Sequence, residues 1–177
     1  SRDELRAHVG DMSQIAGVRA FELSDGRERG SRAYQVYTGS GLTFDVLVER
    51  SLDIGAVHYK GLPLAWHSST GFPHPTYYEP DGLGWLRSFG GGLLTTCGLD
   101  AFGAPSDDAG EHFGIHGLIG NLPAEQVNYD VGWSGEAYPL AVRGRVRQTR
   151  HYGENLTLER QISTAFASNI ITVQDTV

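Results

Sequence analysis

From Val18 onward apolar residues recur at every second position, and this alternation limits the possible folds more than any other feature. Leu42, Phe44, Val46 and Val48 alternate with Thr43, Asp45, Leu47 and Glu49. Residues two apart share one face of a strand, so such a segment makes a half-buried strand and not a helix. Residues 33–37 precede it across Thr38-Gly39-Ser40-Gly41, a hairpin signal. A second hairpin is predicted from residues 54–59 and 62–66, joined at Lys60-Gly61. Residues 67–92, with Phe72, Pro73, Pro75 and Tyr77, read as a long irregular excursion of the functional kind. Strand rhythm resumes in residues 126–131, 140–149, 156–163 and 169–177, for about nine or ten strands in all. Only residues 2–16 read as a helix, from Leu5, His8, Val9, Met12 and Ile15, ending before Gly17. The expected organisation is a helical extension over residues 1–17 and one all-β domain over 18–177. The last segment stops mid-strand, as a truncated chain would.

Composition supports this reading. The 24 glycines among 177 residues show no G-X-Y period, so they mark turns and not a collagen-like chain. A formal charge of −7 argues against a nucleic-acid partner. The densest basic stretch, Arg143, Arg145, Arg147 and Arg150, alternates with apolar residues as the solvated face of a strand would. No apolar run approaches a membrane span, and the amino end lacks a signal-peptide apolar region. One cysteine excludes an internal disulfide, and the expectation is a cytoplasmic protein with no membrane association.

Two glycine-framed blocks hold the candidate site. The first is Gly84-Trp85-Leu86-Arg87-Ser88-Phe89-Gly90-Gly91-Gly92, running on to Cys97-Gly98-Leu99, and the second is Gly114-Ile115-His116-Gly117 with Asn121-Leu122-Pro123-Ala124. Glycine allows close approach of a ligand to the backbone. Arg87 offers a fork of donors for sugar hydroxyls or a carboxylate, or else braces a loop. His116, on a glycine-flanked apolar strand, either serves structure or meets a substrate oxygen. His112 and His116 would share a strand face and admit a metal, although no zinc-binding pattern is present and none is expected. Arg50 and Asp53, three apart, suggest a local ion pair or a turn-capping aspartate. Cys97 has no basic neighbour and reads as an inert buried thiol. Gly90-Gly91-Gly92 is no phosphate loop, for no lysine follows.

With Arg50-Ser51-Leu52-Asp53-Ile54-Gly55, these blocks resemble a bacterial branch of the aldose 1-epimerase, or galactose mutarotase-like, superfamily. The resemblance runs from about residue 18 to the end. It implies an antiparallel β-supersandwich that interconverts the α and β anomers of a sugar by general acid/base ring opening, without a cofactor. It makes His116 the candidate catalytic residue beside the reacting oxygen and Arg87 a contact to pyranose hydroxyls. Arg50, Asp53 and Asn121 join as substrate-binding candidates, with Trp85 stacking on the sugar. Members of that superfamily are longer, and their acid/base pair, a second histidine and a glutamate, is expected beyond Val177. The chain would then be the sugar-binding half, paired with the remaining segment or with another copy. A non-catalytic carbohydrate-binding β-sandwich and a cupin-like metal protein are the alternatives.

Overall fold

The computed structural model describes residues 1–177 and folds them into two antiparallel meanders. Strands β1 (Gly17–Glu22), β2 (Arg32–Tyr37), β3 (Leu42–Leu47), β4 (Asp53–Tyr59) and β5 (Leu62–Pro63) pair in sequence order as one sheet. A loop-rich middle follows, holding two miniature hairpins: β6 (Trp66–His67) with β7 (Gly91–Gly92), and β8 (Ser106–Asp108) with β9 (Glu111–Phe113). Then β10 (Glu125–Val131), β11 (Pro139–Thr149), β12 (Asn155–Ala165) and β13 (Thr172–Thr176) form the second sheet, again in sequence order.

Alternation decides what each sheet buries. From the first, Val36, Leu42, Phe44, Val46, Ile54 and Val57 point into one core; from the second, Leu140, Val142, Val146, Leu158 and Ile162 meet them there. The opposite face of β11 carries Arg143, Arg145 and Arg147, which pair with Asp130 and Glu125 of β10. The basic stretch is thus a solvated, charge-compensated strand face.

Three local expectations change. The amino-terminal helix α1 spans only Arg2–His8, capped by Ser1 and Glu4 in a reciprocal box. Val9 is already extended, Asp11 starts a separate 3-10 turn at Met12–Gln14, and α1 buries no residue, so the helix has no packing to prolong it. The second hairpin is shorter than predicted, since β5 ends at Pro63 and Trp66–His67 turns away to pair with Gly91–Gly92. Strands β6 to β9, two or three residues each, carry too little alternation to be read in advance. No helix is long and apolar enough to cross a membrane.

Candidate active site around His116

The loop-rich middle is tied to the first sheet through a strained turn. After the 3-10 turn Val48–Arg50, both Ser51 (φ 54°) and Leu52 (φ 58°) are left-handed, a conformation costing on the order of 1–3 kcal/mol for each such residue. Side-chain contacts hold it. The Ser51 hydroxyl donates to the Ile119 carbonyl, with the Leu122 carbonyl 3.2 Å away. Leu52, fully buried, fills the space over Gly144, where any Cβ would come within 2.9 Å of its Cδ1. The two reversed residues send Arg50 and Asp53 to different partners, so the predicted Arg50–Asp53 ion pair does not form.

Arg50 reaches the carboxyl-terminal block. Its guanidinium donates to Asn121 Oδ1 at 2.7 Å, and the Ser88 hydroxyl lies 3.1 Å from the same oxygen. Burial pulls the Arg50 pKa down from its ordinary value, against Asp53 and Tyr78. Ser88 also sits 3.1 Å from the Trp85 carbonyl. The Trp85 indole is buried, stacked on Phe89 at 4.9 Å and edged against His116 at 4.8 Å. Arg50, Asn121, Ser88 and Trp85 therefore form one contiguous buried wall, with the half-buried His116 against it. Trp85 Nε1 and Asn121 Nδ2 are buried in it without a protein partner.

His116 stands at the edge of that wall. It lies beyond β9, not on a strand, in a left-handed turn with φ 61°, which histidine tolerates better than most residues. Gly103 clamps it twice: the His116 N–H donates to the Gly103 carbonyl at 3.0 Å, and the Gly103 N–H donates to His116 Nδ1 at 3.3 Å. A ring that accepts at Nδ1 carries its proton at Nε2 when neutral. Nε2 makes no hydrogen bond within the protein, and the residue is half-buried. The clamp thus presents a fixed N–H donor.

Asp53 belongs to a second cluster, between the sheets. Its Oδ1 accepts from the Thr96 N–H at 2.9 Å, the Thr96 hydroxyl at 2.6 Å and Arg160 at 3.4 Å. Arg160, 3% exposed, also makes a two-bond pair with Asp175 at 2.8 and 2.7 Å and donates to the Ser51 carbonyl. Burial pushes the Asp53 carboxyl up to about 6, against the opposing pull of Thr96, Arg160 and Arg50. Because Asp175 already balances Arg160, Asp53 need not ionise to keep that guanidinium paired. Thr96 and Arg160 were not among the expected site residues. Arg160 carried a signal, a charged side chain in the apolar register Leu158-Arg160-Ile162.

Other expectations are corrected. Arg87 is 70% exposed on the turn Gly84–Arg87 and pairs with Glu79 at 3.2 Å. Trp85 is part of the wall and has no free face for stacking. His112 lies on β9 with Nδ1 on Asp107, and since His116 is off the strand the two share no face. No group of three or more His, Cys, Asp or Glu is placed to hold a metal ion. Cys97 is only half-buried, and burial, with Asp53 nearby, pushes its thiol up, away from reactivity. One surface hollow, of about 300 Å³, is an open trough on the outer face of β10–β13, among arginines already engaged in ion pairs. Another, about 230 Å³, abuts the turn carrying His116 through Gly114 and Gly117.

Fold and site together define a two-sheet antiparallel β protein of the aldose epimerase-like fold, with a glycine-framed histidine clamped beside a buried polar wall. The model of the family described as Domain of unknown function (DUF4432) matches residues 28–177, and the chain belongs to that family. It is similar in structure to a "putative aldose 1-epimerase" from Klebsiella pneumoniae subsp. pneumoniae MGH 78578, with a TM-score of 0.82 and 23% identity. That match covers 93% of this chain and 45% of that one, and it shows the fold. A galactose 1-epimerase from Lactobacillus acidophilus NCFM matches with a TM-score of 0.46 and 13% identity, over 84% of this chain and 44% of that one. The chain thus spans less than half the length of these solved structures. No curated protein matches it.

Proposed function

We propose that the chain is the sugar-binding part of an aldose 1-epimerase-like enzyme, with His116 at the reacting end of the sugar. The observation that carries this reading is the Gly103 clamp, which fixes the half-buried His116 ring and leaves its Nε2 without a hydrogen-bond partner in the protein. In mutarotation a base removes the proton of the anomeric hydroxyl while an acid protonates the ring oxygen. The bond from C1 to the ring oxygen breaks, the carbonyl turns over, and closure reverses both transfers. A neutral His116 donates a hydrogen bond to an oxygen at that end of the ring and holds it in line. Asn121 and Arg50 support the wall behind the histidine. The acid/base pair is assigned outside residues 1–177, which cover 45% of the similar solved chain.

The test is anomer exchange of D-glucose and D-galactose by the full-length natural protein, followed by polarimetry and saturation-transfer NMR. His116→Asn keeps a residue suited to the left-handed turn and removes the ring. Exchange is expected to fall at least about tenfold, the order of one positioned hydrogen bond to the reacting centre. Unchanged exchange across the accepted sugars overturns the role of His116. Sugar binding without exchange in the wild type makes the protein a carbohydrate-binding module.

A further inference from the structure

We propose that Tyr78 is a positioning residue of the site: its hydroxyl and the Asp100 carboxylate grip one peptide group from opposite ends and hold the turn that aims the His116 ring; this rests on the reading of His116 given above. His116 (φ 61°) and Gly117 (φ 70°) are left-handed in succession. For histidine that backbone is strained, and such strain persists only where the surroundings over-determine it. Gly103 fixes the near side, through the N–H and Nδ1 of His116. On the far side stands the peptide joining Gly117 to Leu118. The Tyr78 hydroxyl donates to its carbonyl at 3.3 Å, and its N–H donates to Asp100 Oδ1 at 3.4 Å. Both bonds are long, so each is modest, but acting on opposite ends of one rigid plane they stop it from turning. Gly117 is buried and leaves no room for adjustment. A Cβ there would collide with Asp100 Oδ1 and come within 2.6 Å of the Gly98 carbonyl oxygen.

The placement of Tyr78 also gives the long irregular segment 67–92 a use. Tyr78 follows the 3-10 turn Pro75–Tyr77, which the His74 ring caps by accepting from the Thr76 N–H. The chain after it, residues 79–82, lies along the His116 block. The Ile115 N–H donates to the Gly82 carbonyl at 3.1 Å, and Gly114 sits against the Pro80 carbonyl with no space for a side chain. Of the hydrogen bonds that join residues 78–82 to 114–118, the Tyr78 hydroxyl makes the one from a side chain. Tyr78 is half-buried. Burial, helped by Asp100 and Asp81 and opposed by Arg50, pushes its phenol up from the ordinary value, so the hydroxyl remains a donor at neutral pH.

The experiment compares the full-length protein with its Tyr78→Phe variant by two readouts. One is the set of nitrogen and carbon NMR signals of the His116 imidazole, assigned with His116→Asn, which report which ring nitrogen carries the proton. The other is kcat and KM for anomer exchange of D-glucose and D-galactose. In the wild type the neutral ring should carry its proton at Nε2 alone, and in Tyr78→Phe the two tautomers should mix. There kcat should fall about three- to tenfold, the order of one neutral hydrogen bond, with KM near its wild-type value. Because the aromatic ring stays in place, Tyr78→Phe should melt within about 4 °C of the wild type. A His116 signature identical in the two proteins overturns the positioning role, whether or not exchange falls. Unchanged kcat in an active wild type overturns it too. A mixed signature in the variant of a wild type that exchanges no sugar overturns the catalytic reading of His116 and leaves the hold of Tyr78 on its ring standing.

Discussion

Asp53 shows how far one residue's chemistry depends on where the chain turns. Its carboxyl titrates near 6 in the folded state against an ordinary value of 3.8, because burial outweighs Thr96, Arg160 and Arg50. The native state therefore holds this proton more tightly than the unfolded chain. Its contribution to stability is full below about pH 4 and is lost as pH rises through about 6. Asp53→Asn keeps the acceptor toward Thr96 and cannot ionise. Relative to wild type, the variant should gain stability between pH 4 and pH 7, by up to about 3 kcal/mol, read from urea unfolding at each pH. A gap between the two proteins that does not move with pH would count against a protonated Asp53. Asn121 makes a second case, since its Oδ1 is the side-chain acceptor of the buried Arg50 guanidinium. Asn121→Ala should cost about 2–3 kcal/mol, measurable in the same assay.

At the scale of elements, β12 matters for what it places on its inner face. Arg160 sits between Leu158 and Ile162 in the apolar register and joins β4, through Asp53, to β13, through Asp175. Removing one member of a buried charged set is costlier than never having built it, so Arg160→Ala should destabilise the chain by about 3–5 kcal/mol. The loss should be larger at pH 8 than at pH 5, because at the lower pH Asp53 takes up a proton and ceases to be an unpaired charge. Circular-dichroism melts at the two pH values check this. Gly144, opposite Arg160 in the ladder, is constrained from the other side. A methyl there meets Leu52 Cδ1 at 2.9 Å and Val127 Cγ2 at 3.0 Å, so Gly144→Ala should cost about 1–3 kcal/mol despite a higher strand propensity.

Over residues 1–177 the governing facts are a negative charge and the exposure of strand β13. Arg143, Arg145 and Arg147, the densest basic stretch, are paired with Asp130 and Glu125 in a chain whose net charge is −7. Strand β13 closes its sheet on one side only; all five of its residues are exposed, and Ile170, Val173 and Val177 add apolar surface along it. Unpaired strand edges of this kind template association. The 177-residue chain should self-associate with rising concentration in light scattering, and Val173→Lys should reduce that association without lowering the melting temperature.

The alternation from Val18 onward, the hairpin at residues 38–41 and the long outer strands were legible because a period of two has one physical meaning, a strand buried on one face. The glycine blocks likewise announced where the backbone would reverse. They could not say which polar residue faces which, since that depends on contacts between segments far apart in the chain. Arg50 and Asp53, three residues apart, looked like partners. Two left-handed residues, locked by Ile119, Leu122 and the space over Gly144, sent one to Asn121 and the other to Thr96 and Arg160. Trp85 and Arg87, two residues apart, were equally plausible ligand contacts until packing buried the indole and left the guanidinium on Glu79. The sequence alone determined a β-sheet protein with a glycine-framed histidine. Only the tertiary structure decided that Gly103 holds that histidine, because a hydrogen bond between residues thirteen apart, on either side of the β8–β9 hairpin, leaves no periodic trace in the chain.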